Sequence, residues 1–143
     1  MIYSELTKTA ASICVSAHAG QTDRGGYPYC MHPIHLAEQM SDEESCAAAL
    51  LHDVIEDCGY TFDQLREAGI TEPVIQALRL LTHDPSVDYM VYVEAISHNP
   101  IARKVKMADL RHNLEPSRMP GAEPFRKWPL YRQALEFLES VDR

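Results

Sequence analysis

Between Arg24 and Arg66 the chain contains no lysine and no arginine, yet eight carboxylates fall there: Glu38, Asp42, Glu43, Glu44, Asp53, Glu56, Asp57 and Asp63. A solvated helical face ordinarily interleaves cations with its acids, because like charges one turn apart repel by a few tenths of a kcal/mol per pair. The missing cations are concentrated late in the sequence. Eight of the thirteen basic residues lie between Arg103 and Arg132, alongside only three acids, Asp109, Glu115 and Glu123. If the two segments meet in space, an acidic site faces a basic one, which suits a metal beside a phosphate.

Other absences narrow the class. No run of eighteen apolar residues occurs and the N-terminus lacks an export pattern, so we expect a soluble, cytoplasmic protein with no membrane partner. Cys14, Cys30, Cys46 and Cys58 form no C-x-x-C pair and no dense framework. They read as reduced, mostly buried thiols, with a structural zinc site as the lesser alternative. The formal net charge of −8 argues against nonspecific binding to polynucleotides or anionic membranes. With 143 residues, 45% of them hydrophobic, residues 1–143 are expected to build one domain around one core.

No convincing period-two strand is present, and helical periodicity predicts an all-α fold. Helices are expected over residues 3–19, in a short segment around Pro33, over 41–59, after a capping box formed by Thr61 and Gln64, and after Thr71 and Pro73. Three more are expected over 86–97, 100–114 and 124–141. The segment "GQTDRGGYPY" reads as a loop, as does the stretch holding Pro116, Pro120 and Gly121.

In "ALLHDVIEDCG", Ala47, Leu50, Leu51, Val54, Ile55 and Cys58 make one apolar stripe. At roughly 100° per residue, His52, Asp53, Glu56 and Asp57 fall opposite it. An amphipathic helix explains such a face without chemistry, but the helix carries no cation. The adjacent His52–Asp53 pair also offers the mixed nitrogen and oxygen donors of a divalent metal site. Two further donors stand in unusual places: His32 before Pro33 at a helix entrance, and Asp109 in mid-helix among Val105, Met107 and Ala108, where aspartate is a poor helix former. Each has an ordinary structural explanation when taken alone. Together, two nitrogens and two oxygens with room for water favour Mn²⁺, with Fe²⁺ or Zn²⁺ as alternatives.

The order His, His-Asp, Asp resembles the HD-domain metal-dependent phosphohydrolases, and more specifically the alarmone hydrolases of the RelA/SpoT type and their small stand-alone versions. The matching segments are "HAGQTDRGGYPYCMHP", "AALLHDVIEDCGYTFDQL", "LT" and "NPIARKVKMADLRHNL", in the family's order from His18 to Leu114. The resemblance implies an HD-type bundle of about seven or eight helices around a metal-binding cleft. It also implies a Mn²⁺ site of His32, His52, Asp53 and Asp109, with Glu56 and Asp57 as the acidic pair for water activation. By the same resemblance Arg24 and Asn113 face the nucleotide, and Tyr131 makes a further nucleotide contact. The implied reaction is hydrolysis of guanosine 3′,5′-bis(diphosphate) at the 3′ position with release of pyrophosphate. No segment matches the family's synthetase or regulatory parts, which implies hydrolysis alone. The segment from Leu80 to Ala102 has no lysine or arginine, where relatives often carry basic residues after "LT".

A divalent ion would lower the pKa of its water, and Glu56 would take or orient that water's proton with help from Asp57. Lys106, three residues before Asp109, shares its helical face and could neutralise phosphate charge. Of Arg103, Lys104, Lys106 and Arg111, at least two are expected on a solvated surface. Tyr89, Tyr92 and Phe137 read as core residues rather than as stacking partners for a base.

Overall fold

Short polar residues set where most helices begin. The computed structural model describes residues 1–118 and 127–142. Ser4 caps α1 (Glu5–Ala17) in a capping box with Thr7. Next come α2 (Met31–Glu38) and α3 (Glu43–Leu51), the latter capped by Asp42, which accepts the Ser45 N–H at 2.8 Å. After α4 (Val54–Cys58), the box of Thr61 and Gln64 opens α5 (Phe62–Glu67), and Thr71 with Pro73 opens α6 (Glu72–Leu81). Asp88 caps α7 (Tyr89–Ser97), Asn99 caps α8 (Pro100–Asn113), and a single 3-10 turn (Pro116–Arg118) precedes α9 (Trp128–Asp142). Among the described residues there is no β-strand, only an isolated bridge between Thr22 and Pro28. The fold is all-α, as the periodicity predicts.

Two boundaries differ from the sequence reading. Ser86 does not start α7, because its N–H and hydroxyl both turn back to Asp84 Oδ1 and leave Asp88 as the cap. Pro120, Gly121 and Pro124 lie outside the described residues, and the described part of the last helix starts at Trp128.

The larger correction concerns the helix expected over 41–59, which is two helices. In an uninterrupted α-helix the Ala49 carbonyl would receive the Asp53 N–H. Here it accepts the imidazole N–H of His52 at 2.7 Å and the His52 backbone N–H at 3.5 Å. Asp53 takes φ −109°, ψ −3° and becomes the residue from which α4 starts afresh, its carbonyl accepting the Asp57 N–H at 2.9 Å. Nine α-helices therefore stand among the described residues in place of seven or eight. Gly59, with φ +75°, ends α4 in the left-handed region that glycine tolerates best.

At the centre lies α3, buried on every side from Ser45 to Leu51 and packed against α1, α2, α6 and α8. Its run "CAAALL" suits that place, because small side chains let four neighbours approach closely. Leu36, Leu65, Ile75, Leu78, Ile96, Leu110 and Leu138 complete the core from the surrounding helices. No helix among the described residues is long and apolar enough to cross a membrane.

Candidate metal centre

Three elements deliver the candidate ligands to one point: α2 carries His32 in its first turn, the α3–α4 break carries His52 and Asp53, and α8 carries Asp109. One donor atom each from His32, His52 and Asp109 lie within 4.8 Å of one another, and all three residues are buried. His32 Nε2 is 2.8 Å and His52 Nε2 is 3.4 Å from Asp109 Oδ1. Asp53 adjoins this trio without belonging to it: its Oδ2 is 3.0 Å from His52 Nε2 and accepts the Tyr29 hydroxyl at 2.6 Å. The four cysteines are all free, and none belongs to a cluster of potential metal ligands among the described residues.

These residues fit a cation. His52 Nδ1 donates to the Ala49 carbonyl, which leaves its lone pair on Nε2. That nitrogen is buried without a hydrogen bond of acceptable direction, although two carboxylates stand close to it. A buried lone pair among carboxylate oxygens is an arrangement that a cation would satisfy.

The charges agree. Burial would raise Asp109, but the charge of Lys106 at 3.2 Å and the His32 and His52 rings beside it hold it well below the carboxylate range. Burial likewise opposes ionisation of Asp53, yet the His52 charge brings it down to about 2. For His52, burial disfavours the cation while Asp53 and Asp109 outweigh it, so the pocket draws positive charge to Nε2. At His32 burial wins and the ring is held below its ordinary value.

Two cavities adjoin the site, one lined by His52 and Asp109 themselves and the other joined to Asp109 through Asn113. One, about 300 Å³, is lined by His52, Asp53, Glu56, His83, Lys106 and Lys127 among others, with Tyr89, Tyr92 and Tyr131 in its walls. The other, about 280 Å³, is lined by Thr22, Asp23, Arg24, Tyr29, Asn113, Arg118 and Tyr131. Tyr131 is common to both. The acidic and the basic segments of the sequence therefore do meet. Glu56, exposed at the cleft, accepts the backbone N–H of His83. Partial desolvation raises it, and the charge of Asp53 adds to this. Asp57 is exposed, lines neither cavity, and is raised by partial desolvation and then by Asp53.

Asn113 donates to Asp109 Oδ1 at 3.0 Å and accepts from Arg118 at 2.8 Å, so it joins the ligand trio to the second cavity. Lys106 is nearly enclosed, with 13% of its side chain exposed, whereas Lys104 and Arg111 are half exposed. Tyr92 is a core residue whose hydroxyl donates to the Leu81 carbonyl at 2.6 Å, and Phe137 packs on the core. Tyr89 also packs on the core, and both it and Tyr92 stand in the cleft wall with Lys106 near their rings.

Among the lining residues that sequence reasoning missed are Tyr29, His83, Lys127 and Arg118. Tyr29 sits inside the motif "GGYPYCMHP" and His83 directly follows "LT", so proximity to matched segments was the available signal. Arg118 gave none. Its role depends on the loop tip, where Gly25 approaches the Arg118 carbonyl so closely that a Cβ would meet it at 3.1 Å.

Comparison with known proteins places this geometry. A probable GTP pyrophosphokinase of Mycobacterium leprae is 30% identical over 93% of this chain and 18% of its own length. A guanosine-3′,5′-bis(diphosphate) 3′-pyrophosphohydrolase of Haemophilus influenzae is 34% identical over 71% of this chain and 17% of its own. The bifunctional (p)ppGpp synthase/hydrolase SpoT of Escherichia coli is 29% identical over 90% of this chain and 20% of its own. The chain thus spans about a fifth of the curated relatives it matches. No family model matches. Among solved structures, a metazoan ortholog of SpoT, described as hydrolysing ppGpp, superposes with a TM-score of 0.75 at 21% identity, covering 100% of this chain and 88% of that one. Sequence and fold together make this chain similar to about a fifth of the length of the RelA/SpoT-type proteins, with the all-helical fold of the metazoan SpoT ortholog.

Proposed function

We propose that residues 1–143 form a single HD-type hydrolase unit that cleaves guanosine 3′,5′-bis(diphosphate), or the corresponding pentaphosphate, at the 3′ position and releases pyrophosphate. The observation that carries this reading is the position of the His32, His52 and Asp109 trio, within 4.8 Å and beside two cavities of unlike chemistry. His32, His52 and Asp109, with Asp53 beside them, would hold Mn²⁺. Such an ion supplies Lewis acidity at the phosphoryl oxygens and a water of lowered pKa.

The protein's own groups do the rest. Lys106 and Lys127 neutralise the transferred phosphates in the larger cavity. Glu56 accepts the proton of the attacking water, and Asp57 adds negative charge beside it. Arg24, Asn113 and Tyr131 line the second cavity, where the nucleoside fits and where a planar guanidinium and an aromatic ring can stack on a base. His83 lines the phosphate cavity of a segment that has no lysine or arginine.

The test is an incubation of manganese-loaded protein with the tetraphosphate and a panel of other nucleotides, products being resolved by ion-exchange chromatography. Release of pyrophosphate from the guanosine compound is expected. Turnover of another nucleotide without it would transfer the reading to a different phosphoester. Tight nucleotide binding with no turnover at all would make the chain a binding module.

A further inference from the structure

A metal-ligating imidazole must offer the lone pair of one nitrogen, and the hydrogen bond at its other nitrogen decides where the proton sits. His52 meets this need through the backbone, by donating to the Ala49 carbonyl. At His32 the partner is a second imidazole. His32 Nδ1 and His112 Nδ1 are 2.7 Å apart, the two rings are parallel within 6°, and their centroids are 4.9 Å apart. With the nitrogens so much closer than the centroids, the rings meet edge to edge in nearly one plane. A nitrogen pair at that distance shares one proton, one ring donating and the other accepting.

We propose that His112 is a positioning residue of the metal centre: with a cation held there, it would accept the Nδ1–H of His32 and so favour the tautomer that turns the Nε2 lone pair to the ion, in place of the 2.8 Å contact of Nε2 with Asp109 Oδ1. This rests on the metal-centre reading above. The placement follows from α8, where His112 comes three residues after Asp109 and shares its face. His35 packs on the His112 ring with centroids 4.2 Å apart, and Arg118 donates to the His112 backbone carbonyl at 3.2 Å, so both the ring and the backbone that carries it are held.

The test compares Mn²⁺ affinity, by calorimetry at one pH, for the wild type, His112→Asn and His112→Phe, with long-range ¹H–¹⁵N spectra of the zinc-loaded wild type. Asparagine places a carbonyl oxygen near the site of Nδ1, whereas phenylalanine keeps the ring and removes the acceptor. His112→Phe is expected to weaken metal binding about 10- to 100-fold, His112→Asn to stay near wild type, and His32 to carry its proton on Nδ1. Equal affinity in wild type and His112→Phe, or equal losses in both variants, would overturn the proposal. So would a His32 protonated on Nε2, a result the wild type gives even if His112→Phe fails to fold. A wild-type protein that binds no divalent ion would overturn the metal-centre reading and this one with it.

Discussion

Replacing Glu56 by glutamine tests the division between holding the ion and moving the proton. Glu56 lines the phosphate cavity but lies outside the trio of His32, His52 and Asp109, so the isosteric amide leaves those ligands untouched. Its carboxylate accepts the His83 N–H, which a glutamine oxygen can also do, so the local backbone is preserved. What disappears is basicity. General base assistance is worth about 10² to 10⁴ in rate, which at about 1.36 kcal/mol per decade is about 3 to 5 kcal/mol of barrier. Steady-state kinetics of pyrophosphate release should show kcat reduced by that factor, while calorimetry shows Mn²⁺ affinity unchanged. The pH profile of kcat at saturating Mn²⁺, where loss of the ion through His52 does not enter, gives an independent reading. Because Glu56 is raised above its ordinary value, wild-type activity is lost as pH falls through that raised value, and the same limb is absent from the variant. A Glu56→Gln protein that keeps wild-type kcat, or keeps the acid limb, would refute the assignment.

Lys106→Met should destabilise the metal-free protein by about 3 kcal/mol in urea unfolding, because it leaves Asp109 buried without its cation. Mn²⁺ should restore part of that loss, and an identical loss with and without the ion would contradict a shared charge at this point. Metal affinity should rise with pH through the raised titration of His52, since a proton on Nε2 competes for the same lone pair. Calorimetry in buffers of different ionisation enthalpy would reveal the released proton, and a pH-independent affinity would exclude His52 as a ligand. Tyr29→Phe removes the donor to Asp53 Oδ2 and should cost about 1.5 to 3 kcal/mol of stability, measured by urea unfolding; no change would show that Asp53 is satisfied without it.

The sequence made the helices legible because their punctuation is local. Asp42, Thr61 and Asn99 each accept a backbone N–H three residues on, and Pro73 stands in the first turn after Thr71. Asp109 could be picked out because aspartate is a poor helix former in mid-helix, His32 because it stands at a helix entrance, and His52 because it adjoins Asp53 on a face without cations. The break at His52 and Asp53 could not be read, since it arises when an imidazole outcompetes a backbone amide for the Ala49 carbonyl. Propensity describes residues 41–59 as one helix, and only the surrounding packing decides that contest. The break is what aims Asp53 beside the trio. Arg118 and His112 were unreadable as partners for a related reason: their contacts join segments far apart in the chain, His112 to His32 and Arg118 to Asp23.

Because α3 is walled in by four helices and ends at His52, one side of the metal centre is mounted on the part of the molecule with least freedom to adjust. Coordination there would begin from an almost finished geometry, with little entropy left to lose on binding. Selectivity among divalent ions would then depend on ionic radius, since a rigid mount cannot contract around a smaller ion or spread for a larger one.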